Sequence, residues 1–307
     1  MSLFALAGAL QTGLLFSLVA LGVYLSFRVL DFPDLTVDGS FPLGAAIAAA
    51  CIAAGANPFA ATALGALGGA AAGSVTAALH VRFRIMNLLA GILTMVALFS
   101  INLRIMGSPN LPVYGHDTVF DALDGIIDLS LWNDAVILAL FAFGAKLLVD
   151  WFLTTETGLA LRAAGENPAM AEAQGVRKDW MVFLGMAISN ALVALAGALF
   201  AQMQGVADVT MGTGTIVTGL AALIIGEAIL GRRSVFIATL GCIAGALVYR
   251  FFIALALRAD FAGIRAEDLN LVTAIVVAVA VVLSQGRGGR RLWPRRPRAA
   301  TPAAEEN

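Results

Sequence analysis

Gly165-Glu166-Asn167-Pro168-Ala169-Met170-Ala171-Glu172-Ala173-Gln174-Gly175 is a short polar segment, punctuated at both ends and set between long apolar runs. Asn167 suits a helix N-cap, because its side-chain oxygen accepts from the free backbone N–H groups of a first turn. Pro168 fits the first helical position, where its missing N–H costs nothing. Gly175 supplies the left-handed residue at which a helix stops. Arg162, Arg177 and Lys178 flank the segment. The stretch reads as about two turns of helix standing outside a bilayer, a rigid peg where a simple loop would serve.

Working outward, the chain is 60% hydrophobic and only 13% charged, with a mean hydropathy of +0.90. A soluble domain carries about 25% charged residues. The 32 glycines favour close helix–helix contact in lipid over a leucine-rich soluble core. The fold class is therefore all-α, a polytopic transmembrane bundle. Spans need about 20 apolar residues, and such runs fall near 3–27, 58–80, 86–106, 132–153, 181–203, 213–231, 234–257 and 269–285. The first lacks a basic n-region and is longer than a typical signal h-region, so it reads as a span and not a cleaved signal.

Residues 31–56 are a partial case. Phe41 to Ala56 is apolar but short, while Asp31 to Ser40 carries three carboxylates and Pro33. Lipid does not tolerate such backbone exposed, so a broken or re-entrant segment buried against protein or a cavity is expected. The total is roughly eight to ten spans. With a cytoplasmic C-terminal tail, alternation puts Arg28, Arg82, Arg84, Arg162, Arg177, Lys178, Arg232 and Arg233 inside too, and leaves Arg104, Arg250, Arg258 and Arg265 toward the other side. That is the asymmetry of a positive-inside topology. The arginine-rich tail 286–307 reads as an anchor to anionic membrane lipid, with no nucleic acid as partner.

The connection 107–131 is the one long external loop. Asp117, Asp121, Asp124 and Asp128 recur at helical spacing, with Phe120, Leu123 and Ile127 on another face, which predicts a short amphipathic helix on the outer surface. A solvated acidic face is one account; a docking surface for an external partner, steered by charge, is the other. Gly65, Gly69 and Gly73 form a four-residue ladder, echoed by Gly241 and Gly245, whose small size permits close packing inside the bundle or at a subunit interface.

Much chemistry is excluded. No phosphate-binding GxxxxGK[ST] loop is present. The two histidines, His80 and His116, fall on opposite sides of the membrane, and Cys51 and Cys242 are isolated in apolar runs, so no metal site is expected. Lys146 and Asp150 are one helical turn apart and suited to pairing, and Glu227 lies near Arg232. The best candidates for handling a polar solute are Asp34, Thr36, Asp38 and Ser40 of the broken segment, because interrupted helices expose backbone groups; capping of a broken helix accounts for them equally.

The run Leu161-Arg162-Ala163-Ala164-Gly165-Glu166-Asn167-Pro168, followed by Ala171-Glu172-Ala173-Gln174-Gly175-Val176, resembles the cytoplasmic signature of bacterial ABC importer permeases, in the branch of branched-chain amino-acid and sugar permeases. Leu30 to Phe41 and Gly226-Glu227-Ala228-Ile229-Leu230-Gly231 are similar to an amino-acid-like subgroup of that branch whose substrates are uncharacterised. The resemblance implies a single permease domain over 1–285, with 31–56 broken, 107–131 external and 154–180 a cytoplasmic coupling loop, followed by the tail 286–307. It implies a membrane-spanning, non-enzymatic subunit in the bacterial inner membrane, moving an amino acid or related small polar solute by alternating access. The implied partners are a dimer of ABC ATPases that binds the ATP and Mg, a second permease copy or paralogue, and an external solute-binding protein; this chain itself binds no cofactor. It makes Gly165, Glu166, Asn167, Pro168, Ala171, Glu172 and Gly175 an ATPase-coupling helix. The rival from the residues alone is an ATPase-independent secondary carrier or channel, which explains the hydrophobicity and the break but not a capped polar peg. A membrane assembly protein is the third.

Overall fold

The computed structural model describes residues 3–124, 132–231 and 234–256. Among them, helices long and apolar enough to cross a membrane run over Leu3–Val29, Pro58–Val81, Asn87–Met106, Asn133–Thr154, Lys178–Gln204 and Val235–Leu255, with shorter apolar helices at Val37–Ala53 and Thr215–Leu230. All eight correspond to expected segments. The expected span at 269–285 and the tail at 286–307 lie outside the described residues.

Helix α1 (Leu3–Val23) continues into π-helical turns over Tyr24–Val29. Residues 31–36 are irregular, and Asp31 takes a left-handed φ of 53°. Helix α2 (Val37–Ala53) then starts four residues before the apolar run at Phe41 and contains Pro42. Proline supplies no N–H, so the carbonyl of Asp38 loses its helical partner; the backbone at Gly212 packs directly against that carbonyl. Asn57 caps α3 (Pro58–Val81) by accepting from Phe59 N at 2.9 Å, with Pro58 in the first position. Helix α4 (Asn87–Met106) ends at Gly107, φ 70°.

Beyond α4 come a strand β1 (Asn110–Pro112) and helix α5 (Val119–Asp124). Next are α6 (Asn133–Thr154), α7 (Glu156–Glu166), α8 (Pro168–Ala173) and α9 (Lys178–Gln204). Strand β2 (Val206–Asp208) pairs antiparallel with β1, and α10 (Thr215–Leu230) and α11 (Val235–Ala256) complete the described chain. The strand pair was not expected in what read as a loop; it ties the link after α4 to the link after α9.

The bundle is held by backbone proximity. Gly69 and Gly73 of α3 face α9, where a Cβ would meet the Asn190 and Met186 carbonyls, while Gly65 sits between the Gly44 carbonyl of α2 and Ala198 of α9. Gly44 of α2 abuts Ala194, and Gly226 abuts Gly241 across α10 and α11. In lipid, where apolar burial gives helices little drive to associate, such close contacts and their hydrogen bonds carry the packing. The glycine ladder thus serves internal packing. Helix α4, by contrast, leaves Leu88, Leu93, Val96, Phe99 and Ile101 exposed.

Candidate functional site

The peg is built as the sequence punctuation requires, with one addition. Asn167 takes extended dihedrals and its Oδ1 accepts from Met170 N at 3.1 Å. At the other end Gly175 has φ 85°. Gly175 N donates to Glu172 O at 2.9 Å and Val176 N to Ala171 O at 3.0 Å, the paired bonds of a Schellman stop. The addition is α7, started by Thr155, whose Oγ1 accepts from Gly158 N at 3.3 Å. Thr155 followed by Glu156 is a start signal that the sequence displayed. The peg is therefore two short helices broken at Asn167, not one helix in a loop.

One face of this pair is buried and the other free. Leu161, Ala164 and Ala171 are buried, whereas Glu166, Asn167, Met170 and Glu172 are exposed. Gly158 sits on the backbone of Phe152 and Leu153 at the end of α6, and Gly165 on the carbonyl of Val29 at the end of the first span. Gly185 of α9 contacts both Leu30 and Leu161. The peg is thus braced against three spans, while its acidic and methionine-bearing face is exposed.

Beside it, Arg28 makes a two-pronged ion pair with Glu227 of α10, Nε to Oε1 at 2.6 Å and Nη2 to Oε2 at 2.8 Å. Sequence spacing pointed Glu227 at Arg232 instead; Arg232 lies outside the described residues. Buried Lys146 pairs with Asp150 as expected, lies 3.5 Å from the centre of the Phe236 ring, and Asp150 also accepts from Thr239 at 2.6 Å.

The broken segment divides into two parts. Asp34, Thr36 and Ser40 are fully buried. Asp34 accepts from Thr36 N at 2.8 Å and from Asn190 Nδ2 at 2.7 Å. Ser40 Oγ donates to Asn190 Oδ1 at 2.7 Å, and the hydroxyls of Thr36 and Thr76 bond at 2.8 Å. Burying a carboxylate among apolar helices is costly unless every lone pair is served, and Asn190 is the residue that serves both sides. In the sequence it is one asparagine in an apolar run, with no visible partner.

Asp38 stands apart. Its carboxylate accepts from Ile216 N at 2.8 Å and Gly214 N at 3.3 Å, capping α10 from another helix. It also borders a cavity of about 380 Å³ between α2, α4 and the link 209–213.

At the opposite end of the bundle from the peg, Thr118 and Asp121 form a reciprocal cap on α5. Asp121 Oδ2 accepts from Thr118 N at 3.0 Å, and Thr118 Oγ1 from Asp121 N at 3.3 Å. The cap starts the helix at Val119, which leaves Asp117 exposed in the preceding turn, not on a shared helical face. Asp124 closes the helix, and Asp128 lies outside the described residues. Val119 and Phe120 are buried. Among the described residues, no three His, Cys, Asp or Glu side chains converge.

Comparison with known proteins places this architecture. The profile of the family described as branched-chain amino acid transport system / permease component matches residues 5–282. The chain is 41% identical over 264 residues to a tyrosine transport system permease protein of Clostridioides difficile (strain R20291), covering 86% of each. It is 24% identical over 261 residues to the ribose import permease protein of Escherichia coli (strain K12), covering 81% of this chain and 76% of that protein. Among solved structures, an inward-facing metal-chelate type ABC transporter aligns with a TM-score of 0.50 at 17% identity, covering 92% of this chain and 85% of that one, a likeness of fold. The chain belongs to the branched-chain amino acid transport system permease family, and is thus a multi-pass inner-membrane subunit of an ATP-binding-cassette importer that works with an ATPase and a solute-binding protein.

Proposed function

We propose that this permease imports an amino acid, driven through the α7–α8 peg by a dimer of ATPases that binds the ATP and Mg, while the permease itself catalyses no reaction. The basic end of the bundle, with the peg and the C-terminal tail, faces the cytoplasm. The opposite end, with Asp117, Asp121 and Asp124, receives the solute-binding protein. A second permease copy or paralogue packs alongside to complete the path. The amino-acid assignment draws on the tyrosine permease likeness over most of both chains.

The observation that carries the mechanism is the seat of Gly165 on the Val29 carbonyl. Closure of the ATPases moves the peg as a body, with Glu166 and Glu172 meeting basic groups on the ATPase. Gly165, Asn167, Pro168, Ala171 and Gly175 keep its shape. Movement passes into the end of the first span and the irregular segment 31–36, which carries Asp34 and Thr36 and leads directly to Asp38 and Ser40 at the path. Nucleotide thereby biases a two-state equilibrium between outward- and inward-facing forms.

The test is tyrosine uptake by vesicles containing the permease, its ATPase and its binding protein. ATP-driven uptake is expected, with Asn167→Ala and Glu172→Gln inserting normally yet hydrolysing ATP without matching uptake. Uptake that persists without any ATPase, or normal transport by both variants, would refute the reading.

A further inference from the structure

The cavity beside Asp38 has a chemistry that the peg and the buried network do not explain. Asn102 of α4 is fully buried and borders it. Its Nδ2 donates to the Gly39 carbonyl at 3.3 Å, but its Oδ1 has no hydrogen-bond partner. A buried amide oxygen left alone costs about 1–3 kcal/mol, so a native protein that keeps one points to a donor absent from the chain itself. The second acceptor is Asp38, whose two contacts from α10 leave carboxylate lone pairs unused.

Ser100 and Thr213 add hydroxyls to the lining, and no lining residue is basic. Apart from Thr210, whose hydroxyl donates to Asp208, the remaining wall is apolar, with Pro42, Met95 and Phe99 prominent. A volume of about 380 Å³ lies at the small end of ligand pockets, which span roughly 300–1,000 Å³.

The geometry points to a site for a primary ammonium group with an apolar or aromatic tail, the ammonium donating to Asp38 and Asn102 Oδ1 while the tail lies against Met95 and Phe99. This rests on the reading of the chain as a solute-conducting permease and adds which end of the solute the permease itself holds. The same carboxylate that binds the ammonium caps α10. Occupancy therefore touches α2, α4 and α10 together, and the site sits where their relative movement would release it.

Ser100 is exposed and lines the cavity, so Ser100→Cys in a Cys51→Ser, Cys242→Ala background reports occupancy by its rate of maleimide labelling. The full complex with its ATPase is labelled in membrane vesicles without the binding protein. Phenethylamine should slow labelling, and phenylpropionate, which has the ring but no amine, should not. Adding Asp38→Asn or Asn102→Leu should raise the half-protecting phenethylamine concentration by about tenfold, the worth of one charge-assisted hydrogen bond. Equal protection by phenylpropionate, or unchanged protection in both variants, overturns the proposal. The amine-against-acid comparison uses Ser100→Cys alone, and decides even where a second variant fails to assemble. ATP-driven uptake with no amine-dependent protection defeats this inference alone, whereas absence of ATP-driven uptake defeats the functional reading beneath it.

Discussion

Gly165 of α7 lies directly on the main-chain carbonyl of Val29, at the last π-helical turn of the first span. Contact with backbone differs from contact with a flexible side chain: neither partner can swing aside, so displacement of one displaces the other. From Val29 the chain needs only a few residues to reach Asp34 and Asp38. A peg outside the bundle is thereby connected to polar groups inside it without any long-range relay.

The shape of the peg depends on Asn167. Replacing it by alanine removes the acceptor for Met170 N, a loss of about 1 kcal/mol of cap stabilisation. Amide hydrogen exchange across 169–176 should rise by about fivefold while the spans are unaffected. Unchanged exchange there would show that the cap does not hold α8.

Asn190 is the predicted weak point of the core. Asn190→Leu removes the partner of Asp34 Oδ2 and that of the Ser40 hydroxyl, each at a cost of about 1–3 kcal/mol. Folded yield in detergent and the thermal midpoint should both fall sharply, with Ser40→Ala much milder. A wild-type midpoint for Asn190→Leu would contradict the network as drawn.

The Arg28–Glu227 pair joins the end of the first span to the end of α10. Arg28 is 40% exposed, so solvent screening holds its worth to about 1 kcal/mol or less. Breaking it with Arg28→Ala should shift the balance between transport conformations by at most about fivefold, read by spin-label distances across that end. Exchanging the charges, Arg28→Glu with Glu227→Arg, should restore the balance. Failure of the exchange to restore it would mean that the pair is incidental.

The glycine ladder gives a positional contrast. Gly73→Leu drives a side chain into the Met186 backbone, while Gly8 has open space around its missing Cβ. Overpacking costs about 1–3 kcal/mol or more, so Gly73→Leu should lose most folded protein and Gly8→Leu should lose little. Equal yields would remove the α3–α9 packing account.

The spans were readable because about 20 apolar residues in a row have few alternatives in water, and the peg because caps and stops are written locally by Asn167, Pro168 and Gly175. The start of α2 was not readable. Its polar turn exists because Asp38 finds the N-terminus of α10 and Ser40 finds Asn190, partners more than a hundred residues away. The β1–β2 pair is likewise non-local and too short to carry a pattern. Asn102 did leave a signal, a lone amide within an apolar span, yet only the fold shows that its oxygen has no partner.

In the proposed mechanism movement enters the bundle where Gly165 meets Val29, and solute imported per ATP hydrolysed by Gly165→Leu in reconstituted vesicles reads that step. Overpacking at that seat by roughly 1–3 kcal/mol should lower the ratio by about tenfold or more, with the complex assembled and hydrolysis continuing. A wild-type ratio in an assembled Gly165→Leu complex would mean that movement does not enter the bundle through this seat.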